Sequence, residues 1–509
     1  MELKLLMKTA REAVIEICDG EKFEAKSEYT VRVNGNTYAN TKRTVISIYG
    51  LEPNSDVTVT VIRGPKTKEL HFHTDIETVS LNVKDFGAKG DGISNDTAFI
   101  QAAIFSCPRD GRVVVPEGTY KIYPLFLRNH MTLEISKGAV LSAYTDRENF
   151  PILPGNVPSN DEKGEYFLGT WEGDPAPMFA GIITGVKAKN VNIVGEGTID
   201  GNASTDNWWF EPKKIKIATR PRMLFLNQCH DINVQGITIK NSPSWNIHPY
   251  FSKNLGFYDL KIISPKVSPN TDGLNPESCK NVDIVGVYFS VGDDCIAIKS
   301  GKIYMGAKYK TPSKGLKIRK CRMQDGHGAI VIGSENAGGV KELLVEDCEF
   351  LRTDRGLRIK TRRGRGRDAV VDDVTFNRID MDNVMTPVVI NEFYFCDSDG
   401  HSDYVQTKEA LPVDERTPVM GRFLFKDIKA TNCHVAASYI YGLPEEKVKW
   451  VRFENVDISF AENPTPGVPA MMDGVSEMTK CGLFAKNICE LELDNVTITG
   501  QDGEAFIKE

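Results

Sequence analysis

The stretch Val282-Asp283-Ile284-Val285-Gly286-Val287-Tyr288-Phe289-Ser290-Val291-Gly292-Asp293-Asp294 decides the fold. Val282 and Ile284 stand two apart, as do Val287 and Phe289, and the two pairs are out of phase by one residue. Period 2 on either side of a phase shift is what a strand, a tight bend and a second strand give. The same pattern starts at Val191, Ile232, Leu255, Leu316, Leu343, Val374, Phe423, Val451 and Leu491, at intervals of 23 to 49 residues. The shortest intervals match one turn of a parallel β-helix and the longer ones carry loops. The expected architecture is therefore an all-β solenoid whose stacked turns share one continuous core.

Four polar clusters punctuate successive repeats: Asn270-Thr271-Asp272-Gly273, Gly292-Asp293-Asp294, Gly326-His327-Gly328 and Arg358-Ile359-Lys360. Neighbouring turns lie only about 4.8 Å apart, so these residues can line a single groove. Carboxyls to move protons, with fixed positive charge to hold an acidic sugar, are what acid/base cleavage of a uronate chain needs. Crowded carboxylates cannot all ionise cheaply, so one is expected to keep a raised pKa and act as the acid. The glycines flanking His327 point to close backbone approach rather than a core histidine. Arg358 and Lys360 belong to a longer cationic run from Arg352 to Arg367, suited to uronate carboxylates, of which Arg362 to Arg367 read as a solvated or cleft-rim loop. Asp397, Asp399, His401 and Asp403 lack the spacing of a calcium loop, so no metal site is expected. Trp208-Trp209 read as packing beneath the cleft, with stacking on sugar as the alternative.

Lys and Arg number 62 against 69 Asp and Glu, a formal net charge of -7 that argues against a nucleic-acid partner. No apolar run reaches the roughly 18 residues that would cross a bilayer, so no membrane partner is expected. The 11 cysteines are scattered without zinc-ligand spacing, several on the strand repeats, where free thiols pack as small hydrophobes. Residues 1-78 alternate apolar and polar over short runs such as Tyr29 to Val33 and Val57 to Val61, which predicts a small β-sandwich ahead of a solenoid over 79-509. Asp96 is expected to cap a short helix from Ala98 to Ser106, with Phe99, Ile100, Ala103 and Ile104 on its buried face, closing the solenoid's end.

The four clusters, in this order and with the flanking segments Gly197-Thr198-Ile199-Asp200-Gly201, Arg220-Pro221 and Asn241 to His248, resemble glycoside hydrolase family 28, the polygalacturonases. The likeness covers about residues 80 to 505. It implies a right-handed, pectin lyase-like parallel β-helix and cofactor-free hydrolysis of a pectic polysaccharide or oligogalacturonide. Asp293 is implied as the general acid, Asp272 and Asp294 as the residues that activate the attacking water, and His327 as the group that tunes the acid. Arg358 and Lys360 are implied to bind the substrate carboxylate, Asn270 to contact substrate, and Tyr394 to lie near the leaving-group subsite. The segment Gly50 to Val61 partly resembles the corner of a fibronectin type III module, with Val57 where that corner has a tyrosine.

Three rivals are weighed by their discriminating features. A pectate lyase would use calcium and a cationic base, a non-catalytic pectin-binding solenoid would lack one of the aspartates, and rhamnogalacturonan hydrolases depart from the histidine and Arg-Ile-Lys motifs. Inversion is expected because paired water-binding carboxylates leave room for a solvent molecule. Exo-action from the non-reducing end is expected over endo-action because the sandwich, the segment Asn149 to Ala180 and the interval between Val374 and Phe423 supply material to wall off a groove. The interrupted N-terminus and unpaired cysteines predict a cytoplasmic enzyme acting on imported oligomers.

Overall fold

The structure, a computed structural model, describes residues 1-509. The repeat starts from Val191 to Leu491 pair one above the next in parallel register, Val191 with Ile232, Ile232 with Leu255, and onward to Val451 with Leu491. The second halves of the pattern form their own ladder, Ile199 to Ile239, Ile262, Phe289 and eventually Ile498. Both ladders point their apolar positions inward, with Val282 at 1 % and Ile284, Val287 and Phe289 at 0 % exposure, and one hydrophobic core runs from Val83 to Ile498. This is the all-β parallel β-helix expected.

Each turn carries a third strand that the two-strand pattern does not include. It comprises Leu125–Phe126, Ile183–Val186, Leu224–Asn227 and Ile247–Tyr250, continues through single bridges at Leu274, and runs on as Ile296–Ile298, Ile330–Gly333, Arg355–Lys360, Thr386–Asn391, Ala436–Tyr441, Cys481–Lys486 and Phe506–Lys508. Ile296-Ala297-Ile298 is buried at every position, so this strand shows no alternation to read. An extra turn, Met131–Ile135 and Ala139–Ala143, precedes Val191, with Met131 in register with Val191.

Helix Thr97–Ser106 closes the N-terminal end, but its details differ from expectation. Asp96 makes no side-chain cap; its carboxylate instead accepts from the backbone N–H groups of Lys89 (2.8 Å) and Gly90 (3.0 Å), holding the preceding loop. Ile100, Ala103 and Ile104 are buried, whereas Phe99 is 39 % exposed because its ring lies over Gly87 at the end of the solenoid.

Residues Glu2 to His73 form two antiparallel sheets, one of Glu2–Lys8, Ala13–Cys18 and Val45–Ile48, the other of Asn36–Arg43, Glu24–Val33, Asp56–Arg63 and Lys66–His73. They enclose a separate core around Ile15, Tyr29, Val31, Ile48 and Val59. At the corner position Val57 is buried at 2 %, and no tyrosine hydrogen bond stands there. The sandwich packs on the bends between the first and second strand stacks, where Met7, Val14 and Val45 meet Val194, Tyr258 and Val285. Gly286 makes room, since a Cβ there would lie 2.5 Å from Val45 Cβ. Buried ion pairs tie the two bodies: Arg112 to Glu12 (2.8 Å) and Arg319 to Glu16 (2.9 Å). No helix is long and apolar enough to cross a membrane.

Candidate active site

All four polar clusters flank the third stack. Asp272 precedes Leu274, Asp293 and Asp294 precede Ile296–Ile298, His327 precedes Ile330–Gly333, and Arg358 and Lys360 lie within Arg355–Lys360. Ile359 points into the core at 0 % exposure, so strand alternation turns Arg358 and Lys360 outward together. The register Val331 to Arg358 and Gly333 to Lys360 then sets both cations two turns from the aspartate pair. They converge on a cleft of about 560 Å³, lined by all six of these side chains together with Asn270 and Tyr394.

The glycines beside His327 are there for space. A Cβ on Gly326 would lie 2.6 Å from Cys295 Sγ and 2.9 Å from the Asp293 carbonyl, and one on Gly328 would enter the gap between Asp294 and Arg358. Through that gap Lys360 Nζ reaches Asp294 Oδ2 at 2.8 Å, with Arg358 Nη1 3.9 Å from Oδ1. Asp294 is 1 % exposed, and its Oδ1 has no hydrogen-bond partner. His327 Nδ1 lies 3.3 Å from Asp293 Oδ1, which also accepts from the Asp294 backbone N–H at 3.0 Å.

The electrostatics separate the carboxyls. Asp272, 4 % exposed, is pushed up to about 8 by burial and by the neighbouring charges of Asp293 and Asp294, against the pull of Lys299. Burial works to raise Asp293 too, but His327, Lys360 and Arg358 outweigh it and hold this carboxyl below its usual range. His327 is raised by its hydrogen bond to Asp293. One carboxyl is raised, as expected, but it is Asp272 and not the implied acid Asp293; His327 stands beside Asp293 with the cations on neighbouring Asp294, and Asp272 has only the Asn275 amide (2.9 Å) on its oxygens.

Several residues that shape the cleft carried no distinct sequence signal. Lys299, 3 % exposed, pairs with Glu335 (2.6 Å), and its ammonium overcomes burial to hold Glu335 down at about 2. Trp171 and Trp245 stack in parallel 6.5 Å apart, and the guanidinium of buried Arg222 lies over both, 4.8 Å and 4.3 Å from the two rings. Below it His248 Nε2 meets Glu277 Oε2 at 2.8 Å in a fully buried pair; burial lowers the histidine and raises the glutamate to about 8. Trp245 and His248 fall within the flanking segment Asn241 to His248, which was the one hint available. Asn270 spends its amide oxygen on Arg220 Nη2 (2.6 Å), and Tyr394, 7 % exposed, has Lys360 Nζ 5.8 Å from its ring.

Two expectations are corrected. Arg362, Arg363 and Arg365 are not a solvated rim; they are 4 %, 1 % and 5 % exposed, because Asp397, Asp399 and Glu445 neutralise them. That pairing also accounts for Asp397 and Asp399 of the 397–403 segment, while His401 meets Asp473. The sandwich walls no part of the cleft, whose lining begins at Arg147. Trp208 does pack beneath, at 0 % exposure against Phe150 and Phe179, and the exposed face belongs to Trp171.

Comparison with known proteins places this geometry. The model of a family described as Glycosyl hydrolases family 28 matches residues 169–466. A probable polygalacturonase of Vitis vinifera is 32% identical over 391 residues, covering 75% of this chain and 74% of its own. An endo-polygalacturonase of Pectobacterium parmentieri is 32% identical over 317 residues, 59% of this chain and 73% of its own. The crystal structure of a hyperthermoactive exopolygalacturonase from Thermotoga maritima superposes with a TM-score of 0.67 at 25% identity, covering 83% of this chain and 92% of that one.

Proposed function

The chain belongs to glycosyl hydrolases family 28, the polygalacturonases, which hydrolyse pectin, and we propose that it removes single galacturonate units from the non-reducing end of oligogalacturonides with inversion. The observation that carries the hydrolytic reading is the convergence of Asp272, Asp293, Asp294 and His327 with Arg358 and Lys360 in one cleft. In this reading Asp293 protonates the glycosidic oxygen, Asp272 and Asp294 hold and deprotonate the attacking water, and His327 orients the acid. Arg358 and Lys360 engage a substrate carboxylate.

Burial pushes the Asp272 carboxyl up, while His327 first, and Lys360 and Arg358 after it, hold Asp293 down; the last two are the cations assigned to the substrate. A uronate bound to Arg358 and Lys360 offsets their charge, so Asp293 gains proton affinity. In this reading the bound uronate draws the proton from Asp272 toward Asp293, arming the acid and freeing the base.

Exo-action is supported by how the cleft is walled. Trp171 and Glu172 come from the Asn149 to Ala180 segment, on a hairpin whose Gly173 carbonyl accepts from Lys302 N at 3.0 Å. Tyr394 and Asp397 come from the interval between Val374 and Phe423. The Thermotoga maritima relative is an exopolygalacturonase, and the Pectobacterium parmentieri relative an endo-enzyme. Product analysis on polygalacturonate decides: monomer from the earliest time with little fall in viscosity supports exo-action, and a ladder of mixed oligomers with rapid thinning refutes it. The sandwich over residues 1-78 we assign a structural role, and the unpaired cysteines suit a reducing, cytoplasmic setting; the native protein in culture medium would overturn that placement.

A further inference from the structure

One wall of the cleft carries three cations that make no ion pair. Arg220 is 6 % exposed and lines the cleft; its Nη1 donates to the carbonyls of Pro243 (2.8 Å) and Pro269 (3.0 Å) and its Nη2 to Asn270 Oδ1, while its Nε has no partner. None of these acceptors is an anion, and burial brings the guanidinium down to about 10. Arg147 lies over the Trp208 ring at 4.5 Å, donates only to the Asn207 carbonyl, and has no ion pair. Lys213 lines the same wall and is also unpaired, and the adjacent Lys214 and Lys216 share the single acid Glu211. Ile217, which follows these lysines, holds φ at 69°, a left-handed conformation costly for a β-branched residue.

A buried guanidinium with no ion pair, acted on only from farther off by Glu172, Asp272 and Asp293, is expensive unless something supplies a close anion. A clamp for the turns at 243 and 269 explains two of the bonds of Arg220, but not its buried, unpartnered Nε, nor the two further cations without an ion pair on the same wall. Arg358 and Lys360 lie on later turns near Tyr394, with the aspartates between the two groups. Polygalacturonate carries one carboxylate per ring, so rings on either side of the scissile bond present two.

We propose that Arg220, Arg147 and Lys213 form a second carboxylate site, which holds the uronate of the terminal ring being released while Arg358 and Lys360 hold that of the leaving ring. The site rests on the galacturonan-hydrolase reading above and deepens it. It makes the enzyme demand an unesterified carboxylate at the non-reducing end as well as on the next ring, and Trp171, over which Arg220 lies at 5.4 Å, forms its side.

The test compares digalacturonate with the analogue whose non-reducing ring is galactose. Wild-type protein is expected to prefer digalacturonate in kcat/KM by about tenfold to a hundredfold, the worth of a charge-assisted pair. Arg220→Met and the surface double variant Arg147→Ala with Lys213→Ala should bring that preference close to unity, whereas Arg358→Ala should keep it. The double variant keeps the test open if Arg220→Met fails to fold. A preference that survives in the double variant, or an equal loss on both substrates, overturns the second site alone. Wild-type protein that cuts neither substrate overturns the galacturonan reading instead.

Discussion

Lys360 Nζ and Asp294 Oδ2 meet at 2.8 Å across two turns of the solenoid, with their side chains 11 % and 2 % exposed. Breaking a pair this buried leaves an uncompensated carboxylate and typically costs about 3–5 kcal/mol. Lys360→Met is therefore expected to lower stability by roughly that amount in denaturant titration. It should also raise KM for galacturonan more than for a methyl-esterified substrate. Unchanged stability would mean that Asp294 finds another partner.

Asp293→Asn removes the transferable proton while keeping a hydrogen-bond acceptor for the Asp294 N–H. We expect kcat to fall by about 10²–10⁴ with the fold intact, the usual worth of a general acid. Activity within tenfold of wild type would move the acid elsewhere.

Asp272 makes a prediction about stability. Its carboxyl, pushed up to about 8 in the fold by burial, has an unfolded value near 3.9. An acid raised in this way costs the fold stability as pH climbs from the unfolded to the folded value, and the cost is complete above the latter. Asp272→Asn should abolish hydrolysis and yet raise the melting temperature, more at pH 9 than at pH 5. An equal shift at both pH values would show that Asp272 ionises freely.

If substrate moves the proton from Asp272 to Asp293, the acid is stronger in the free enzyme than in the complex. The alkaline limb of kcat should then lie at higher pH than that of kcat/KM, since the two report the bound and free enzyme respectively. In Arg358→Ala the two limbs should approach each other. Coincident limbs in the wild type would rule out the transfer.

The sandwich is held to the solenoid by Arg112, 1 % exposed and paired with Glu12, Glu77 and Glu134. Arg112→Leu strands three carboxylates, so a loss of about 3–5 kcal/mol is expected. Because no residue of 1-78 lines the cleft, kcat/KM of the folded fraction should stay at the wild-type value. A change in kcat/KM would give the sandwich a part in catalysis.

Much of this was legible in the sequence because a solenoid writes its register into the chain. The pattern starts at Val282 and Leu316 predicted a pairing that the structure shows residue for residue. The cleft's chemistry was legible for the same reason, since polar clusters at one phase of the repeat must stack. The third strand was not, because Ile296–Ile298 is buried on both faces and has no period to find. Nor was Trp171, which reaches the cleft from a long insertion where tertiary packing alone decides direction; Arg220 stood out only as part of a flanking segment, with no role attached. The order of acidity within the aspartates depended on how deeply Asp272 is buried and on where His327, Lys360 and Arg358 point from later turns, and no spacing along the chain encodes that.

The central claim is that Asp272 and Asp294 deliver water to the face opposite the bond that Asp293 protonates. Proton NMR of an α-linked oligogalacturonide digest, read before mutarotation, tests it most directly. The account predicts that the β-anomer of galacturonate appears first. An initial α-anomer, or an unsaturated product with a vinylic signal, would contradict it.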